Sequence, residues 1–75
     1  MIEIEYCEVW NYYGRAAGAA AHIESELGWT VQLVPSSGGI FEVRVDGQVV
    51  CTKTSEGIPA NEAIVRSVRL VMDNR

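Results

Sequence analysis

A two-layer α/β sandwich, in which a four-stranded mixed sheet carries two helices on one face in the order β-α-β-β-β-α, is the fold this 75-residue sequence predicts. Three observations predict it. Apolar residues recur at every second position in several short runs, a stripe of helical period separates the first two runs, and a second helical stripe closes the chain. A chain this short has room for one hydrophobic core, so residues 1–75 are read as a single domain.

Ile2, Ile4 and Tyr6 alternate with Glu3, Glu5 and Cys7, which predicts a strand over 2–7 with one buried and one wet face. From Asn11 to Leu27 the period lengthens, with Ala16, Ala20, Ile23 and Leu27 on one stripe and Ala17 and Ala21 widening it. Gly28 stands where a C′ glycine ends such a helix. Trp29, Val31 and Leu33 alternate with Thr30 and Gln32 until Pro35 stops the run. Strand, helix and strand at this spacing make a right-handed βαβ unit with parallel strands.

Phe41, Val43 and Val45 define a third strand, Gln48 to Lys53 a fourth, and Asp46-Gly47 between them is a hairpin signal of type I′. A two-residue loop sets Val45 opposite Gln48, Val43 opposite Val50 and Glu42 opposite Cys51, which sends Cys51 to the polar side with Arg44. After a turn over Ser55 to Pro59, Ile64, Val65, Val68, Val71 and Met72 form the inner face of a second helix, with Asn61 as its N-cap and Arg66, Arg69 and Arg75 on its wet side or its end. The open sheet face then carries Glu3, Glu5, Thr30, Gln32, Glu42 and Arg44.

Composition narrows the function classes. A net charge of −4 opposes polyanionic partners, so nucleic acid and anionic membrane surfaces are excluded as expected partners. The apolar runs fall well short of the ~20 residues that span a bilayer, and Met1 leads straight into a strand pattern with no basic, apolar leader. A soluble, cytoplasmic domain is expected. Two cysteines, Cys7 and Cys51, are too few for a disulfide framework and are read as reduced thiols.

Cys7 is the residue that points to chemistry. Cys7-Glu8-Val9-Trp10 lies between a parallel strand and the helix that it feeds, the place where thioredoxin-like folds carry C-x-x-C. A thiol just ahead of a helix N-terminus gains from the dipole, which favours the thiolate, whereas the flanking Glu5 and Glu8 oppose it and Arg15 lies about a turn into the helix. The competing reading is a small, partly buried side chain with no reactivity.

Ile4-Glu5-Tyr6-Cys7, Arg15-Ala16-Ala17, Gly38-Gly39-Ile40-Phe41-Glu42-Val43, Val45-Asp46-Gly47 and Thr52-Lys53 leading into Glu56-Gly57-Ile58-Pro59 together resemble the selenoprotein W-like Rdx family (SelT/SelW/SelH-type), in that family's order and spacing. The resemblance implies a thioredoxin-like fold and thiol redox chemistry with protein thiols or glutathione, glutathione serving as co-substrate rather than bound cofactor. It also implies that the third strand lies beside the first and the fourth beyond it. On that arrangement Cys51 is roughly 9 to 10 Å from Cys7 at ~4.8 Å per strand, too far for a disulfide, which needs Cα atoms within ~7 Å.

The departure is Trp10, which stands where the family carries its second cysteine or selenocysteine. An indole cannot close a dithiol ring, so only a one-cysteine cycle remains, in which Cys7 forms a mixed disulfide or a sulfenic acid and an outside thiol resolves it. A UGA codon decoded as tryptophan would place the same residue here, and the nucleotide sequence decides between the two. Whether the chain is an oxidoreductase stays open at this level. The alternative is a non-catalytic protein-binding module that uses Trp10, Tyr12 and Tyr13 as an aromatic patch, or the open sheet face.

The remaining candidates read as structural. His22 has no Cys or His at ligand spacing, so no metal site is expected. Gly38-Gly39 precedes a strand rather than opening a helix and is read as a tight turn, not a phosphate loop. Gly39 also holds the place where thioredoxins proper carry a proline that docks substrate backbone.

Overall fold

The computed structural model describes residues 1–74 and has the elements β1 (Ile2–Cys7), α1 (Tyr13–Leu27), β2 (Val31–Ser36), β3 (Phe41–Val45), β4 (Gln48–Thr52) and α2 (Asn61–Asp73). The strand order is β2-β1-β3-β4, with β1 parallel to β2 and antiparallel to β3. Arg75, assigned above to the wet end of the second helix, lies outside the described residues.

The alternation of β1 sends Ile2, Ile4 and Tyr6 into the core, where they meet Phe41, Val43 and Val45 of β3 and the buried faces of both helices. Helix α1 contributes Ala16, Ala19, Ala20 and Ile23. Small side chains there let the helix lie close to the sheet, and Ala19 rather than the exposed Ala21 widens the stripe. Helix α2 contributes Ile64, Val65 and Val68, with Val71 and Met72 half-buried behind them. Glu24 ties α1 to the next strand by accepting the Val31 N–H at 3.1 Å, and Gly28 ends the helix in the left-handed conformation at φ 76°.

Several boundaries differ from expectation. Helix α1 begins at Tyr13, not Asn11, because Asn11 takes a left-handed φ of 61° and closes the preceding loop. Trp29 is exposed and precedes β2 instead of alternating with its core residues. Pro35 lies inside β2 opposite Tyr6; β2 is an edge strand, where a proline whose nitrogen faces away from the neighbour removes no ladder bond. The N-cap of α2 is Ala60, and Asn61 is the first helical residue, its amide 3.4 Å from His22 Nδ1.

The hairpin turn is as read, with Asp46 at φ 50° and Gly47 at φ 85°, and Val45 opposite Gln48. Beyond that pair the expected register fails. A bulge between Val43 and Arg44 pairs Arg44 with Val49 and Val43 with Cys51, leaving Val50 as the extra residue and Thr52 opposite Glu42. A slip of one residue turns a side chain to the other sheet face. Cys51 therefore packs against the core instead of lying on the open face with Arg44.

The open face keeps its charges in one network. Arg44 reaches Glu42 at 2.7 Å, Glu5 at 2.9 Å and Glu3 at 3.5 Å. Three carboxylates around one guanidinium raise the arginine's pKa, with Glu42 the strongest contributor. The Ser36 hydroxyl, and after it Arg44, hold the Glu5 carboxyl below its ordinary value. Thr30 falls outside β2 and is not part of this surface.

Candidate functional site

Cys7 ends β1, and its side chain follows the parity of Glu3 and Glu5 rather than that of the core residues Ile2, Ile4 and Tyr6. Both neighbouring strands hold it: its N–H donates to Ile40 C=O at 2.8 Å, and the next N–H, of Glu8, donates to Ser36 C=O at 3.0 Å. The chain then folds back. Asn11 N–H donates to Glu8 C=O and Tyr12 N–H to Cys7 C=O, so residues 8–11 form a short closed loop over the strand end.

Inside that loop the Trp10 N–H points at Cys7 Sγ, 3.3 Å away. The sulfur accepts a hydrogen bond from the main chain there. The donor is therefore a loop amide rather than a free N–H of the first helical turn, which starts three residues later. The thiol is fully buried, with 0% of its surface exposed.

Trp10 is 58% exposed, yet its indole has a defined seat. Gly39 lies under it so closely that a Cβ on Gly39 would stand 2.7 Å from an indole carbon. Lys53 Nζ sits 4.9 Å from the indole centroid and 5.5 Å from the Tyr12 ring, and the Trp10 and Tyr12 rings meet edge to face at 6.0 Å. Such cation–π contacts are worth about 0.5–1 kcal/mol at exposed sites. The expected three-aromatic patch is thus divided: Trp10 and Tyr12 come together, whereas Tyr13 packs edge to face on Tyr6 at 5.9 Å.

Arg15 donates to Pro59 C=O at 2.8 Å. Cys51 is paired with Val43, which pairs with Ile4, so it lies two strands across and three residues along from Cys7, about 14 Å by ordinary strand spacings. Both cysteines are free. His22 is exposed and its Nδ1 lies 3.2 Å from Gly18 C=O. Gly38 and Gly39, at φ 78° and 73°, form the tight turn that the dipeptide predicted.

Lys53 and the seating role of Gly39 were missed by sequence reasoning. Lys53 was legible only as the end of the fourth strand, which in the structure stops at Thr52, and its approach to Trp10 follows from the sheet order. No helix among the described residues is long and apolar enough to cross a membrane.

A β-α-β-β-β-α chain folded into this sheet, with a cysteine at the end of its first strand ahead of the helix, has the architecture of a thioredoxin-like domain. The chain belongs to the Rdx family, whose model matches residues 1–70. A crystal structure of a Bordetella parapertussis protein superposes with a TM-score of 0.82 at 30% identity, covering 91% of each chain. A selenoprotein W-related protein from Vibrio cholerae superposes with a TM-score of 0.84 at 28% identity, over 93% of this chain and 92% of that one. Among curated proteins none matches the chain significantly.

Proposed function

We propose that this Rdx domain works through one thiol. Cys7 thiolate attacks a disulfide RS–SR′, a Cys7–S–SR bond forms as the S–S bond breaks, and R′S⁻ leaves; a second, external thiolate then attacks the mixed disulfide and restores Cys7. Glutathione, as disulfide and as thiol, supplies both co-reactants, and protein thiols are the alternative substrates. The observation that carries this reading is the Trp10 N–H directed at Cys7 Sγ, since the backbone keeps a donor on the sulfur although the side chain at position 10 no longer supplies a second thiol.

The test is incubation of the reduced protein with glutathione disulfide, followed by peptide mapping by mass spectrometry. The reading expects one glutathione on Cys7 that reduced glutathione removes, and none in Cys7→Ser. Adducts confined to Cys51 would overturn it.

The complete burial of Cys7 favours a second reading, a protein-binding module presenting Trp10 beside the solvent-exposed Val9. It expects Trp10→Ala to abolish capture of a protein partner while Cys7→Ser leaves capture intact.

A further inference from the structure

We infer that Trp10 is a gate on Cys7, its indole closing the sulfur off from solvent by lying on the Gly39 seat beneath Lys53. Three observations carry this. The loop of residues 8–11 and the turn at Gly38-Gly39 flank Cys7, since Cys7 N–H is bonded to Ile40 C=O and Tyr12 N–H to Cys7 C=O. The indole belongs to the first of these segments and rests on the second, so close that a Cβ on Gly39 would force the ring to shift. Cys7 is wholly buried at the end of a strand although its parity directs it away from the helix-covered core, while Val9 beside it in the loop is 79% exposed.

Lys53 and Tyr12 hold the closed position by their contacts with the ring. Contacts of this kind are weak individually, so a substrate offering its own apolar surface to the indole can draw the ring off Gly39. The gate thus lets disulfides attached to an apolar or aromatic segment react faster than small, charged ones such as glutathione disulfide, which reaches Cys7 only in the moments when the ring is off its seat. This selectivity rests on Cys7 being the working thiol, as proposed above; the closure itself does not.

The test is the rate at which iodoacetamide modifies each cysteine of the native protein, read by peptide mass spectrometry. Cys51, half-buried in β4, is the internal reference. A general loosening of the fold accelerates both cysteines, whereas opening the gate accelerates Cys7 alone. Trp10→Ala is expected to raise the Cys7 rate at least tenfold with the Cys51 rate unchanged, and Trp10→Phe to keep Cys7 slow. An unchanged Cys7 rate in Trp10→Ala, or a rise in step with Cys51, overturns the gate. Rapid alkylation of Cys7 in Trp10→Ala without any mixed disulfide from glutathione disulfide upholds the gate and removes the redox reading.

Discussion

Gly38 and Gly39 offer a matched pair for measuring how firmly the indole is seated. Both have left-handed φ, 78° and 73°, so an alanine at either position meets the same backbone penalty, about 1–2 kcal/mol. They differ in what the new Cβ meets. At Gly38 nothing lies within 4 Å, whereas at Gly39 three indole carbons lie between 2.7 and 3.0 Å.

Gly38→Ala should therefore cost only the backbone term, lowering the melting temperature by about 4–8 °C per kcal/mol for a domain of this size. Gly39→Ala adds an overpacking cost of roughly 1–3 kcal/mol, unless the ring leaves its seat. Thermal melts of both variants, each also made in Trp10→Ala, close a double-mutant cycle. The excess cost at Gly39 should vanish once the indole is removed. Equal costs at the two glycines, with no coupling between Gly39 and residue 10, would refute the packing on which the gate depends.

Gly47→Val should destabilise the domain by about 1 kcal/mol or more, since Gly47 at φ 85° has open space around it and the penalty is purely conformational; an unchanged melting temperature would contradict the turn. Because Ser36 and then Arg44 hold Glu5 below its usual value of 4.5, Glu5 contributes stability that is present above that value and lost as pH falls through its lower folded-state pKa. Denaturant titrations from pH 6 to 2 should show a shallower acid loss in Glu5→Gln, and an identical profile would refute the network's role. Trp10→Cys should let an internal disulfide form between positions 7 and 10, given that the residue 10 amide already lies 3.3 Å from Cys7 Sγ; two free thiols there after mild oxidation would argue against the loop geometry.

What the sequence disclosed was mostly what local pattern encodes. The alternation of Ile2 to Cys7 placed β1 and its two faces, the alanine stripe placed α1, and Asp46-Gly47 placed the hairpin with its positive φ values. The bulge was hidden because Val49, Val50 and Cys51 are three apolar residues in succession, so strict alternation and a one-residue slip fit them equally well. Asn11 resembles a helix start by residue type; only the bond from its N–H to Glu8 C=O shows that it closes a loop.

Cys7 was identifiable by its place between strand and helix. Its burial was not, because the segments that flank it, at Ser36 and Ile40, are distant in the chain and are assembled only by the β2-β1-β3 order. Gly39 was legible as a turn residue, yet the reason it lacks a side chain is a tertiary contact with Trp10.

The central claim is that a single thiol, Cys7, carries the chemistry. Its most direct test is the steady-state rate at which the protein reduces a glutathionylated peptide bearing an aromatic residue next to the modified cysteine, with excess reduced glutathione as the resolving thiol. Cys51→Ser should keep the wild-type rate, and Cys7→Ser should fall to the uncatalysed rate. A wild-type rate no greater than that of Cys7→Ser would contradict the account.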